Sequence, residues 1–191
     1  FKCDIKKFFA SIDHEILKEI LAKRIDDKST LWLLDKVIDS FNSGTKNKGL
    51  PLGNLTSQLL VNIYMNEFDQ FVKHKLKGKY YIRYADDFVL LLDGKKELKN
   101  KIQPIKNFLK HELKLEFHED KIHTKTLHSG IDFLGWGHFS DHRVLRVKTK
   151  RRMFKRIAVN PTLETISSYL GLLGHGNAFK LRKFVSTNFI M

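Results

Sequence analysis

The sequence contains almost no cysteine and no long apolar run. Cys3 is the single cysteine among 191 residues, which excludes an internal disulfide framework and any cysteine-rich zinc site. No apolar run approaches the roughly 20 residues of a membrane span, and no secretory signal pattern is present. The nine histidines are scattered without metal-ligand spacing. We therefore expect a cytoplasmic protein that has no membrane partner.

Positive charge dominates the composition. Lysine and arginine together number 35, against 21 aspartates and glutamates, which gives a formal net charge of +14 and an isoelectric point near 9.8. Such a surface suits a polyanionic partner, and nucleic-acid phosphate is the obvious candidate. A basic globular protein without that partner has the same composition, so charge alone leaves both interpretations open.

Two adjacent aspartates, Asp86 and Asp87, interrupt an apolar segment that runs from Tyr80 to Leu92. The strand-forming residues on both sides predict two buried strands joined by a tight turn at the acidic pair. Neighbouring carboxylates repel each other, and a buried strand tip holds them only with a compensating cation, commonly a divalent metal. An acidic surface turn is the alternative, and the apolar flanks make it the weaker one.

Asp4 lies inside another strand-like segment, from Phe1 to Phe9. Taken alone, it has the pattern of a strand-edge residue. On a strand beside the hairpin it would complete, with Asp86 and Asp87, a set of oxygen ligands for two Mg2+ ions, with Mn2+ as the alternative ion. Two such ions, roughly 3.5–4 Å apart, activate an attacking hydroxyl and stabilise a leaving pyrophosphate in nucleotidyl transfer.

The order and spacing of these and further motifs resemble the reverse transcriptases of bacterial retroelements along nearly the whole chain. Asp4 and Phe9 match the first catalytic motif of that family, and Tyr84 to Asp87 match its catalytic hairpin. The remaining matches are Gly49 to Gln58 with the template-and-nucleotide motif, Lys121 with a lysine after the palm helix, and Phe133, Leu134, Gly135 and Trp136 with the primer grip. The resemblance implies an RNA-directed DNA polymerase that uses an RNA template, a DNA or RNA primer and deoxynucleoside triphosphates.

The resemblance also implies roles for single residues around the aspartates. The Ile5 carbonyl would be a further metal ligand. Phe9 would pack under the incoming sugar and exclude a 2′-hydroxyl, although periodicity alone favours a core position for this ring. Lys121 would donate a proton to the leaving pyrophosphate or stabilise its charge. A surface lysine is the simpler interpretation of Lys121 in so basic a chain.

The template-and-nucleotide motif and the primer grip have implied roles as well. Gly53 would let the backbone approach the nascent base pair, and Ser57 and Gln58 would contact the template or the nucleotide. A structural turn and a solvated helix start are the alternatives for these three residues. The primer-grip residues would hold the primer end, although aromatic strand residues belong to the core more often.

A basic cluster lies in a helical segment near the end of the chain. Its members crowd into nine positions and are Lys148, Lys150, Arg151, Arg152, Lys155 and Arg156. Lys148, Arg152 and Lys155 share one helical face, which would follow phosphates without reading base sequence. A solvated helix face is the alternative for each residue taken singly.

Helices alternate with short antiparallel strands and without regular β-α-β repeats, which predicts an α+β palm followed by a helical thumb. We place the palm at residues 1–142 and a three-helix thumb at residues 143–191. Relatives carry a fingers region before the first catalytic motif, and this chain begins at that motif without a methionine. We therefore expect a fragment whose fingers are absent. A nucleic-acid-binding piece that is inactive without its fingers is the rival hypothesis from another class.

The subtype rests on fewer residues. Gln58 follows Ser57 where many relatives have proline. Glutamine at this position resembles the reverse transcriptases of diversity-generating retroelements. Two further segments share this resemblance, and they run from Ser168 to Gly171 and from Gly174 to Asn177. Retron and group II intron-type enzymes are the alternatives. An accessory protein is a further partner that the resemblance allows.

Overall fold

The computed structural model describes residues 1–118 and 122–189. It divides into two compact units, Phe1–Thr124 and Lys125–Met191. The palm–thumb boundary placed after residue 142 lies later in the chain than this division and stays a prediction. No helix within the described ranges combines the length and the apolar character that a bilayer crossing requires.

The first unit is built on a three-stranded antiparallel sheet with the order β1-β3-β2. Its strands are β1 (Lys2–Asp4), β2 (Tyr80–Tyr84) and β3 (Asp87–Leu91). Strand β3 lies in the centre, and Asp4 pairs with Asp87 across the β1–β3 ladder. The hairpin predicted around the acidic pair is present, and β1 lies beside it as expected.

Strand β2 differs from the prediction of two buried strands. It is an edge strand, and its outward residues Tyr80, Ile82 and Tyr84 are each more than half exposed. Phe88 and Leu90 of β3 are completely buried. Aromatic and β-branched residues favour a strand on either face, so the composition of β2 predicts its conformation but not the exposure of its outer side.

Helices of the first unit share one hydrophobic core with the inner face of this sheet. They are α1 (Phe8–Ser11), α2 (His14–Ala22), α3 (Lys28–Asp39), α4 (Leu55–Gln70) and α5 (Lys95–Glu112). A π-helical turn, Phe71–Lys75, extends α4, so the chain is helical from Leu55 to Lys75. Phe68 of α4 contacts Phe88 edge to face, with 5.1 Å between ring centroids. This contact joins α4 to the central strand.

The strand predicted from Phe1 to Phe9 is shorter in the structure. It ends at Asp4, because Lys7 has a φ of 46° and turns the chain into α1. Phe8 is buried, whereas Phe9 is partly buried against the core. The aromatic pair is therefore helical, and the expectation that Phe9 belongs to a strand is wrong.

The second unit combines a small sheet with three helices. Strands β4 (Ile131–Phe133), β5 (Trp136–His138) and β6 (Arg143–Leu145) are antiparallel in the order β4-β5-β6. The helices predicted for this part follow as α6 (Val147–Val159), α7 (Leu163–Leu173) and α8 (Phe179–Phe189). Their shared core is formed by Trp136, Leu145, Met153, Ile157, Ile166, Leu173, Ala178 and Val185.

Candidate active site

Two predicted catalytic carboxylates lie on one face of the first sheet. Asp4 and Asp87 are direct partners in the β1–β3 ladder, and the Cβ atoms of such partners are about 4.5–5.5 Å apart. Asp86 lies in the two-residue turn between β2 and β3, and its carbonyl accepts a hydrogen bond of 3.3 Å from the Ile5 amide. The fold thus brings the four predicted metal-binding residues to one end of the sheet.

A lysine balances part of this negative charge. Lys2 lies two residues before Asp4, on the same face of β1, and its Nζ is 2.9 Å from Oδ2 of Asp87. Both side chains are largely screened from solvent, with 20% and 23% exposure. Sequence reasoning missed Lys2, although the two-residue periodicity of β1 already places it beside Asp4.

The donor set at this end of the sheet fits a hard divalent cation. Carboxylate and carbonyl oxygens are the ligands that Mg2+ prefers, and the ammonium group of Lys2 against Asp87 shows that the face attracts positive charge. Within the described ranges, no three His, Cys, Asp or Glu side chains form a metal-binding cluster. Cys3 does not contribute, because burial raises the pKa of its thiol to about 12.

The template-and-nucleotide loop is tied to the segment that carries Phe9. The Leu50 amide donates to the Phe9 carbonyl at 2.9 Å, and the Gly49 amide donates to the Ile12 carbonyl at 2.8 Å. Nε2 of the buried His14 lies 2.7 Å from the Gly49 carbonyl oxygen. The predicted sugar-contacting ring and the predicted nucleotide loop are therefore neighbours, and His14 is an anchor that sequence reasoning did not identify.

Three further predicted contacts differ in exposure. Gly53 has a φ of 92° and open space around the position of a Cβ. Gln58 is exposed in the first turn of α4, whereas Ser57 beside it is only 1% exposed and faces the core. Burial argues against direct contact of Ser57 with a substrate, and the roles of Gly53 and Gln58 stay predictions. Lys121 lies outside the described residues.

The predicted primer grip is a tight hairpin. Leu134 and Gly135 connect β4 to β5 with φ angles of 51° and 84°, the sign pattern of a type I′ turn. Leu134 is half exposed, whereas Phe133 and Trp136 are 5% and 6% exposed in the structure. The two aromatic residues therefore anchor the hairpin in the core. Leu134 and Gly135 at its tip are the residues left accessible for the predicted contact with a primer.

The segment Gly174 to Asn177 packs on this hairpin. A Cβ on Gly176 would lie 2.2 Å from Cζ3 of Trp136. The Arg143 amide donates to Oδ1 of Asn177 at 3.1 Å, and the Asn177 amide donates to the Arg143 carbonyl at 2.9 Å. The segment that suggested the subtype thus fixes the primer-grip sheet to the helices of the same unit.

Gly176→Ala is expected to destabilise the protein by about 1–3 kcal/mol, because the added methyl group overlaps the buried indole of Trp136. Gly171→Ala is the matched control, since nothing lies within 4 Å of its Cβ position in α7. It should stabilise the protein by about 0.5–1 kcal/mol, because alanine favours helix. Urea denaturation of both variants measures the effects. Equal stability of the two would contradict the contact between Gly176 and Trp136.

Lys148, Arg151, Arg152 and Lys155 of the basic cluster lie on one side of α6, and Lys150 and Arg156 border its buried side. All six predicted residues are exposed: Lys148, Lys150, Arg151, Arg152, Lys155 and Arg156. The opposite side buries Thr149, Met153 and Ile157, which recur every four residues. The helix is held by its apolar side, so its cationic side can meet a polyanion without disturbing the core.

The comparisons with known proteins identify the family. Residues 1–138 match the family model described as reverse transcriptase (RNA-dependent DNA polymerase), and the chain therefore belongs to the reverse transcriptase family. Protein YkfC of Escherichia coli is 27% identical over 83% of this chain and 50% of its own length. The group II intron-encoded protein LtrA of Lactococcus lactis subsp. cremoris is 26% identical over 85% of this chain and 38% of its own length. The chain spans half or less of these two relatives.

A solved structure supports the fold class. The structure of telomerase from Candida albicans with a fragment of telomeric RNA covers 99% of this chain, and the chain covers 39% of that one. The TM-score is 0.55 at 15% sequence identity, which is evidence for the fold alone. The predicted α+β class with a palm and a helical thumb is confirmed.

Proposed function

We propose that the chain is the catalytic part of an enzyme that copies an RNA template into DNA. The observation that carries this proposal is the pairing of Asp4 with Asp87, with Asp86 in the adjoining turn, in a chain of the reverse transcriptase family. The proposed substrates are an RNA template, a DNA or RNA primer and deoxynucleoside triphosphates. The cytoplasm is the proposed compartment.

The chemistry follows from the charges at the end of the sheet. Asp4, Asp86, Asp87 and the Ile5 carbonyl would hold two Mg2+ ions, or Mn2+ in their place. When bound, such ions help to deprotonate the primer 3′-hydroxyl and neutralise the leaving pyrophosphate. The chain itself supplies fixed carboxylates on two paired strands, so their geometry need not reorganise when the nucleotide arrives. Lys121, which is not among the described residues, would stabilise the leaving pyrophosphate.

The test is a primer-extension assay with the complete enzyme and with this chain alone. We expect the complete enzyme to make complementary DNA from an RNA template in the presence of Mg2+ and deoxynucleotides. We expect little extension by this chain alone, which spans half or less of the two relatives. Absence of extension by the complete enzyme with either Mg2+ or Mn2+ would refute the proposed activity. Nucleic-acid binding without extension would favour the rival hypothesis of a binding piece.

Phe9→Ala should allow the complete enzyme to incorporate ribonucleotides. The ring lies beside the nucleotide loop and is only partly buried, so its removal would open space for a 2′-hydroxyl. We expect selection against ribonucleotides to fall about tenfold to a hundredfold, measured as the ratio of kcat/KM values. Phe8→Leu, at the buried neighbour, is the control and should leave that ratio unchanged. Persistent selection in Phe9→Ala would make Phe9 a core residue only.

The proposed biological setting is a diversity-generating retroelement, with a group II intron-type enzyme as the second candidate. The first rests on the exposed Gln58 and on the Gly174–Asn177 segment, and the second on the similarity to LtrA. Enzymes of the first kind copy template adenines with errors. An accessory protein is a further proposed partner in this setting. A flexible amide near the template base would tolerate mispairs that a rigid residue rejects.

Gln58→Pro should therefore change misincorporation opposite template adenines by several-fold, because proline removes a backbone donor and fixes φ near −65°. The rate of correct extension should change little, since the metal-binding residues are on other elements. Sequencing complementary DNA made by both forms from one adenine-containing template measures the spectrum. Identical spectra would make Gln58 a helix-start residue and would favour the group II intron-type setting.

A further inference from the structure

A largely buried arginine lies beside the turn formed by Ala85 and Asp86, which we call the catalytic turn. Arg83 in β2 is only 9% exposed, and its Nε and Nη2 donate to the two carboxylate oxygens of Asp69 at 2.8 and 2.7 Å. Its Nη1 donates to Oδ1 of Asn62 at 3.2 Å and to the carbonyl of Ala85 at 3.0 Å. Tyr81 also donates to Asp69, at 2.6 Å. Four acceptor contacts fix one guanidinium group.

The charge state of this group is secure. Burial alone would lower the pKa of Arg83, but the hydrogen bonds and the negative charge of Asp69 raise it above its ordinary value. A planar guanidinium can meet both oxygens of a carboxylate and still direct a third nitrogen elsewhere. A lysine has one nitrogen and cannot hold Asp69 and the Ala85 carbonyl in the same way.

The acceptor at Ala85 connects the arginine to the candidate site. Ala85 is the first residue of the turn and has a φ of 52°, a conformation that residues other than glycine seldom adopt. Asp86 is the next residue in the chain. Strained backbone persists where the surroundings hold it, and the Arg83 contact to the Ala85 carbonyl is such a restraint. Arg83 and Tyr81 lie on the opposite face of the sheet from Tyr84 and Asp87. Arg83 therefore affects the position of the carboxylates through the backbone of the turn.

The same network reaches the nucleotide motif. Asn62 and Asp69 are seven residues apart and therefore lie on one side of α4. This helix begins at Leu55, directly after the loop that contains Gly53, and it carries the exposed Gln58 in its first turn. One side chain thus joins the turn of a predicted metal ligand to the helix that follows the predicted nucleotide loop.

We propose that Arg83 is a positioning residue that sets the orientation of Asp86 by holding the Ala85 turn, and that Asp69 and Asn62 tie this turn to the nucleotide-motif helix. The proposal rests on the proposed function of the carboxylates as metal ligands. Arg83 itself contacts neither substrate nor the reacting atoms. Loss of Arg83 therefore changes the orientation of Asp86 and not its charge. Relief of the backbone strain at Ala85 should restore part of that orientation.

The test is Mn2+ binding by the complete enzyme, followed by electron paramagnetic resonance, in Arg83→Lys, Ala85→Gly and the double variant. Arg83→Lys should weaken Mn2+ binding about tenfold to a hundredfold, the usual effect of losing a residue that orients a metal ligand. Ala85→Gly alone should bind nearly as the wild type does. In the double variant we expect recovery of at least about half of the loss on a logarithmic scale, because glycine adopts a positive φ without strain.

Arg24→Lys is the matched control. Arg24 also contacts an acidic residue of α4, Glu67 at 3.4 Å. Within the described ranges its side chain does not bond to the catalytic turn of Ala85 and Asp86, so its variant should keep wild-type Mn2+ affinity. If Arg83→Lys does not fold, Asn62→Ala provides the measurement, since it removes one acceptor of the same guanidinium and should weaken Mn2+ binding about threefold.

The outcomes separate this proposal from the proposed function. A wild-type enzyme that neither binds Mn2+ nor extends primers would refute the function itself. A wild-type enzyme that does both, with folded Arg83 or Asn62 variants of unchanged Mn2+ affinity, would overturn only the positioning role. A folded Arg83→Lys with weak binding that Ala85→Gly does not restore would also overturn it, because the effect would not pass through the turn.

Discussion

Asp86→Asn is expected to abolish primer extension by the complete enzyme, with a loss of rate of about a thousandfold or more. The amide is nearly the same size as the carboxylate but carries no charge, so it removes the attraction for the cations that stabilise the transition state. Asp86 lies in a turn and not in the core, and the change also relieves repulsion with Asp87. The thermal unfolding midpoint should therefore stay the same or rise.

The control is Asp26→Asn, an exposed residue in the segment before α3. It makes the same change of charge and shape away from the sheet and should retain wild-type extension. Single-turnover extension with saturating nucleotide compares the variants without a contribution from product release. Comparable rates for Asp86→Asn and wild type would end the two-metal assignment, whatever the affinity of the protein for nucleic acid.

The parts of the site that follow from local pattern were predictable. An acidic pair between two strand-forming runs predicts the hairpin, and the register that places Asp4 opposite Asp87 agrees with that prediction. The long apolar periodicity after Gly53 predicts α4. In each case a few neighbouring residues contain the information, because strand and helix periodicities are local properties.

The parts that depend on contacts between distant residues were not predictable. Arg83 meets Asp69 only because β2 packs beside α4, and His14 meets Gly49 across 35 positions of sequence. The burial of Ser57 depends on which side of α4 faces the sheet, and the short first strand depends on the positive φ of Lys7. Charge pairs and helix orientation of this kind are set by packing, which a single sequence does not display.

The second large effect concerns the basic side of α6. Replacing Arg151, Arg152 and Lys155 with glutamine should reduce the slope of log affinity against log salt by about 2 to 3, because each phosphate contact contributes about 0.7–0.9 to that slope. Binding should weaken strongly at low salt and differ little from wild type at high salt. The core should be unaffected, since the buried side of the helix is formed by Met153 and Ile157.

The matched control removes the same charge from the first unit, by glutamine at the exposed α5 residues Lys95, Lys96 and Lys99. Both triple variants have the same net charge, so a difference between their slopes reports contact with phosphate and not a general attraction. Fluorescence anisotropy with two duplexes of different sequence, each titrated from low to high salt, makes the measurement. We expect the α6 variant to lose slope equally on both duplexes, because phosphate contacts carry no base information. An unchanged slope, or a loss equal to that of the α5 variant, would mean that the cationic side of α6 faces solvent alone and that nucleic acid is held elsewhere.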